Sequence, residues 1–125
     1  MKFNPEWRAV PTPSYVVDAR RLKKNLTILA EVQKDTGCRI LLAQKAFSMY
    51  HFYPLIRQYL AGSAASGLYE ARLAHEEMGG ENHIFSPAYR EDEFAEITAI
   101  CDHIVFNSLA QWEKFGGQAL AKGCT

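Results

Sequence analysis

The sequence predicts an α/β chain of repeated βα units, and three observations carry that prediction. Short β-type runs alternate with amphipathic helical patterns along the chain. Four of the runs recur at near-constant distance: Ile40, Ser63, His83 and Ile104 stand 23, 20 and 21 residues apart. The stretch Ile40-Leu41-Leu42-Ala43 is apolar throughout, as expected of a strand covered on both faces of a parallel sheet.

Taken in order, Ser14-Tyr15-Val16-Val17 follows the turn Pro11-Thr12-Pro13 and is expected to be a strand. Asp18 is placed to cap the next helix, whose Leu22, Leu26, Leu29 and Val32 share one face, and Gly37 stops it. Arg39 to Ala43 forms the next strand. A helix from about Phe52 carries Pro54 in its first turn and Leu55, Ile56, Tyr59 and Leu60 for burial, and Gly62 closes it. The small residues Ser63-Ala64-Ala65-Ser66 make a third strand, followed by a helix over Leu68 to Met78 that stops at Gly79-Gly80. His83-Ile84-Phe85-Ser86 is a further strand. The acidic start Glu91-Asp92-Glu93 then opens a helix that buries Phe94, Ile97 and Ile100. His103-Ile104-Val105-Phe106 is the last strand, and Ser108 with Gln111 has the capping-box spacing ahead of Trp112 and Phe115, two core candidates.

Units of this kind wind right-handed into a parallel sheet. Two architectures meet the pattern: an open doubly wound sheet, which 125 residues can complete, and a (β/α)8 barrel, of which they would form half. Length favours the open sheet. Against it, no Gly-rich phosphate loop follows the first strand, and neither GxGxxG nor GxxxxGK[ST] occurs.

Composition limits the partners. Fourteen basic and fourteen acidic residues cancel without a separate Lys/Arg block, so neither a nucleic-acid face nor a membrane-surface patch is expected. No run approaches the ~18 apolar residues of a membrane span, and the N-terminus meets Asn4, Pro5 and Glu6 before any apolar run develops. Cys38, Cys101 and Cys124 are far apart and odd in number, with no CxxC pair, so no disulfide framework and no zinc site is expected, and a cytoplasmic setting fits.

Both architectures bind ligands at the carboxyl ends of their strands. The residues to examine there are Lys45, Ser66 with Gly67, Ser86-Pro87, and Asn107-Ser108. A lysine closing an apolar strand is expected to be partly desolvated and held on a rigid stem, which suits its amine to Schiff-base chemistry; the competing role is a strand-end lysine reaching out to solvent. Ser66 and Ser108 serve equally as helix caps or ligand contacts. Tyr89 and Arg90 are placed on a loop where a substrate contact competes with a solvated charge beside Glu91 and Glu93. His51 follows Lys45 closely enough to approach a bound cofactor or simply to start a helix. His83 and His103 sit near strand starts, the opposite end, and are expected to be structural.

Five segments in this order, TPSYVVD (12 to 18), LLAQKAF (41 to 47), ASGLYEARLA (65 to 74), SPAYREDEF (86 to 94) and FNSLAQWEKF (106 to 115), resemble the carboxynorspermidine (carboxyspermidine) decarboxylases, pyridoxal-phosphate enzymes of the alanine-racemase-like fold. The resemblance implies that Lys45 is the lysine holding pyridoxal 5'-phosphate, with Ser66 as a further cofactor contact and Tyr89 and Asn107 as substrate contacts. It implies decarboxylation of a small carboxylated polyamine to norspermidine or spermidine. It also implies that residues 1–18 are an N-terminal segment and strand belonging to the β-domain region, that 19–125 form the N-terminal half of a TIM-type barrel, and that four further strands and the rest of the β domain lie outside this chain. On that basis the isolated chain is expected to be inactive, and the full-length form a homodimer. Gln44 departs from the apolar residue expected before the lysine, and Ser63 to Ser66 carries no acidic partner for it. Three alternatives stand beside this one: a related barrel decarboxylase of the diaminopimelate or ornithine type, a non-catalytic pyridoxal-phosphate protein, and a complete signalling-type doubly wound domain without cofactor.

Overall fold

The computed structural model describes residues 5–125. After a 3₁₀ turn at Pro5–Ala9 the chain runs through α1 (Ala19–Thr36), β1 (Leu41–Ala43), a 3₁₀ turn (Tyr50–Phe52) leading into α2 (Tyr53–Ile56), and β2 (Gly62–Ala65). It continues through α3 (Leu68–Leu73), whose last turn widens to π geometry over Ala74–Met78, then β3 (Glu81–Phe85), α4 (Glu91–Ile100), β4 (His103–Val105) and α5 (Leu109–Ala121). All four repeated strands are present.

The strands form one parallel sheet in the order β1-β2-β3-β4. A doubly wound sheet reverses its strand order at a switch point; this sheet has none, so the open doubly wound architecture is absent from these residues. Alternation along the strands explains what lies on each face. Ala65, Ile84 and Ile104 turn toward the helices, where they meet Leu68 and Ala71 of α3, Phe94 and Ile97 of α4, and Phe115 and Ala119 of α5. A second cluster joins Leu26 of α1 with Tyr53, Ile56, Leu60 and Met78, and Leu42 packs against it. On the other face no helix among the described residues covers the sheet, and Phe85 and Val105 remain 44% and 51% exposed.

The pattern continues past β4. The Thr125 amide donates to the Asp102 carbonyl at 2.9 Å and the Ile104 amide donates to the Thr125 carbonyl at 2.8 Å, the two bonds by which a parallel strand brackets His103. Thr125 therefore extends the row Ala43, Ala64, His83, His103 by one position.

Local signals set the helix ends. Asp18 accepts hydrogen bonds from the Arg20 and Arg21 amides at 3.0 and 3.2 Å, and Gly37 closes α1 in the left-handed region at φ 73°. Ser108 accepts from the Gln111 amide at 3.3 Å, the predicted cap. Ser66 is not a cap: α3 starts after Gly67, and Glu70 reaches back to accept the Ser66 amide at 2.6 Å.

Three expectations change. Ser14 to Val17 is irregular and joins no sheet among the described residues, because β1 lies at the edge and nothing pairs with the segment; residues 1–4 of the expected 1–18 lead lie outside the described residues. In α1 the inward row is Leu22, Leu26, Ala30 and Gln33, while Leu29 and Val32 are exposed. Gln33 displaces them because its side chain accepts from the Ile40 amide at 2.8 Å and donates to the Tyr59 carbonyl at 2.7 Å, tying α1 to the strand it precedes. Phe115 is buried as predicted, but Trp112 is 44% exposed and lies edge-on to Phe106.

Candidate functional site at the carboxyl ends of the strands

The parallel register brings Lys45, Ser66, Ser86 and Asn107 to one rim, just past the ends of β1, β2, β3 and β4. Lys45 sits in a tight turn closed by the Ala46 and Phe47 amides, both donating to the Ala43 carbonyl at 3.0 and 3.2 Å. Its side chain is exposed, so the desolvation expected of it is not met in this chain. Among the described residues its amine has no hydrogen-bond or ion-pair partner.

The turn is held from below by Gln44, which is only 1% exposed. Its amide nitrogen donates to the Glu70 carbonyl at 2.8 Å, its side-chain oxygen accepts the Tyr53 hydroxyl at 3.1 Å, and its backbone amide donates to Ala64 at 3.2 Å. The residue that departed from expectation is thus the anchor for the lysine turn. An apolar residue there would leave the Glu70 carbonyl and the Tyr53 hydroxyl without these partners. Burial, with the Glu70 carboxylate adding to it, raises the Tyr53 phenol above its ordinary range and keeps it a donor. Sequence reasoning missed Tyr53; its spacing of three from Ile56, at a Tyr-Pro helix start, was the available signal.

The other rim candidates divide. Asn107 is exposed at the end of β4, and Ser66 is exposed at the end of β2 with its amide committed to Glu70. Tyr89 turns inward. It is 8% exposed, packs edge-on against Phe94 and Phe106, and its hydroxyl donates to the Val105 carbonyl at 2.8 Å while accepting the Ser86 amide at 3.2 Å. Burial pushes this phenol up to about 12. Its ring and hydroxyl are engaged in fastening β3 to β4. Arg90 is exposed and pairs with Asp92 at 2.6 Å, the solvated alternative. His51 is exposed at the head of the turn before α2, against the Phe52 ring.

Beyond the lysine turn, Phe47, Ser48, Met49 and His51 face Tyr15 and Val16 across a cleft of about 660 Å³. Tyr15 is 95% exposed there, an apolar ring left without cover by the described residues.

No family model matches the chain. It is 38% identical over 110 residues to the carboxynorspermidine/carboxyspermidine decarboxylase of Herminiimonas arsenicoxydans, covering 88% of this chain and 30% of that protein. It is 43% identical over 109 residues to the protein of the same name from Campylobacter jejuni, covering 87% and 28%. The chain is a relative of the carboxynorspermidine/carboxyspermidine decarboxylases. A decarboxylase with a different substrate in its name is equally similar: the carboxyaminopropylagmatine decarboxylase of Synechocystis is 40% identical over 112 residues, covering 90% and 29%. The crystal structure of carboxynorspermidine decarboxylase complexed with norspermidine from Campylobacter jejuni superposes with a TM-score of 0.89 at 40% identity, covering 93% of this chain and 31% of that one. The chain therefore spans about three tenths of the length of these decarboxylase relatives. Among the described residues no helix is long and apolar enough to cross a membrane.

Proposed function

We propose that these residues are the N-terminal half-barrel of a pyridoxal-phosphate-dependent decarboxylase acting on a carboxylated polyamine, with Lys45 as the lysine that holds the cofactor. The observation that carries this is the exposed amine of Lys45 at the end of β1, without a partner among the described residues, in a chain about 40% identical to decarboxylases. An unshifted strand order with bare sheet on one face supports a half-barrel, as does the bracketing of His103 by Thr125.

The residues fit the aldehyde end of the cofactor. A lysine amine with no competing partner, fixed by the buried Gln44 and Tyr53, is the donor that such a group requires. When bound, pyridoxal phosphate supplies the conjugated ring that takes up the electrons left as carbon dioxide departs. This chain's contribution is to hold that amine at the mouth of β1, with Ser66 and Asn107 beside it on the rim. The phosphate cradle, ring partners and substrate-tail contacts come from outside residues 1–125. The isolated chain is accordingly inactive, and the complete protein pairs as a homodimer in the cytoplasm. Residues 1–18 belong to the region of a β-rich domain, the rest of which covers Tyr15 and the adjoining cleft.

The test is carbon dioxide release by the complete protein containing this chain, with carboxynorspermidine, carboxyspermidine, carboxyaminopropylagmatine and diaminopimelate as substrates. Turnover of one of the first three that vanishes in Lys45→Ala supports the assignment. Preferred turnover of diaminopimelate, or full activity in Lys45→Ala, rejects it.

A further inference from the structure

The uncovered face of the sheet carries a second constellation, at the end away from Lys45. Glu81 opens β3, and His83, two residues on, shares its face by the alternation of the strand. His103 opens β4 in register with His83. Their rings stack with centroids 4.1 Å apart at 25°. His83 Nε2 lies 3.2 Å from Glu81 Oε2 and His103 Nε2 lies 4.0 Å from Oε1, and one donor atom from each residue falls within 4.8 Å of the other two. About five residues of strand, roughly 17 Å, separate Glu81 from Ser86 on the rim.

An ion pair needs one imidazole on a carboxylate; here two are aimed at the same one. The second is also oriented from behind, because His103 Nδ1 meets the Thr125 hydroxyl at 2.5 Å. In the tautomer with Nδ1–H donating to that oxygen, the Nε2 lone pair faces Glu81, the arrangement of a ligand to a cation held between them. A histidine ligand oriented through its other nitrogen is the usual arrangement around a bound metal. The half-buried positions of Glu81, His83 and His103, with side chains 21%, 25% and 37% exposed, leave an approach open from the bare face of the sheet in the 125-residue chain.

We propose that Glu81, His83 and His103 form a binding site for a divalent transition metal, with zinc the best-fitting ion. Two imidazoles and one carboxylate are a nitrogen-rich set that suits zinc and does not suit magnesium or calcium, which take oxygen. Tetrahedral bonds of about 2.0–2.1 Å bring the donor atoms to about 3.3 Å from one another, so the side chains close by rotation while the strands stay in place. Water takes the fourth position. Arg39 is a built-in competitor, its guanidinium 2.7 Å from Glu81 Oε1, and the metal displaces it. The ion joins β3 to β4 at the end of the sheet remote from ligand-binding loops, which makes it a structural element. It does not depend on the role given to Lys45.

The ligand spacing has no familiar form in the sequence: Glu-x-His is followed by a single histidine 20 residues later, and only the βα repeat brings them together.

Calorimetric titration of the chelator-treated, folded 125-residue chain with zinc chloride tests the site, with cobalt(II) absorption reporting the coordination. Cys38, exposed and free, is replaced by serine throughout. One ion per chain with a tetrahedral cobalt spectrum is expected. In His83→Ala/His103→Ala affinity falls at least tenfold, and in Arg39→Gln it rises several-fold because Oε1 is released. His103→Gln, at the half-exposed start of β4, gives the same loss if the double variant does not fold. No binding by the folded chain, binding unchanged without the two histidines, or weaker binding in Arg39→Gln overturns the site.

Discussion

The Tyr53 hydroxyl donates to the Gln44 side-chain oxygen at 3.1 Å, and neither residue is more than 1% exposed. This buried bond connects the first turn of α2 to the residue directly before Lys45, so the position of the rim amine depends on two side chains that never reach the rim.

Tyr53→Phe removes one donor and leaves the Gln44 oxygen buried without it, at an expected cost of about 1–2 kcal/mol in urea unfolding. Gln44→Ala also strips the Glu70 carbonyl of its partner and opens a cavity, and is expected to cost about 2–4 kcal/mol. Near-neutral midpoints for both variants would show that the turn is held some other way.

Gly62 tests the close approach of β2 and β3. A Cβ there would stand 1.9 Å from the Glu81 carbonyl oxygen, a backbone atom that moves only if the strands part. Gly62→Ala is expected to destabilise the chain by more than about 3 kcal/mol, a loss of the size met when backbone or core geometry is broken. Circular dichroism during thermal melting shows it as a large fall in Tm; an unchanged Tm would mean that the sheet tolerates the added carbon.

Much of this arrangement was legible in the sequence. The spacing of Ile40, Ser63, His83 and Ile104 marked all four strands, and Asp18, Gly37 and Ser108 marked helix ends, because each acts through its own backbone neighbourhood. What was not legible depends on partners far along the chain. Gln33 and Gln44 read as surface-type polar residues, yet each is drawn inward by groups more than twenty residues away, Tyr59 and Glu70. Tyr89 read as a loop residue because nothing local reveals the Val105 carbonyl its hydroxyl meets. Ser14 to Val17 has strand composition but no neighbouring strand among the described residues to receive it, and β propensity expresses itself only against a neighbour.

Stability should decline in alkali for a specific reason. Burial pushes the Cys101 thiol, ordinarily near 9.0, up to about 12, with the nearby Cys124 and Asp102 adding to it, and burial pushes the Tyr89 phenol from 10.0 to about 12. Both groups are held protonated in the folded chain while the unfolded chain releases their protons. Their contribution is therefore intact below pH 9 and is lost as the pH rises from 9 toward 12, by at most about 1.4 kcal/mol per pH unit per group and less where solvent screens them. Urea midpoints measured across this range should begin to fall near pH 9 in the parent chain and fall less steeply above pH 9 in Cys101→Ala, where the Cys124 thiol, also pushed up by burial, remains. Superimposable alkaline profiles would remove Cys101 from the account.

The central claim is that Lys45 is the covalent anchor for pyridoxal phosphate, and reductive trapping tests it most directly. The complete protein containing this chain is incubated with the cofactor, reduced with borohydride, digested and mapped by mass spectrometry. The cofactor's mass is expected on the peptide containing Lys45, ahead of every other lysine, with the visible absorption band of the unreduced mixture disappearing in Lys45→Ala. Labelling spread evenly over the lysines, or concentrated on one of the others while the complete protein is folded, would contradict the assignment.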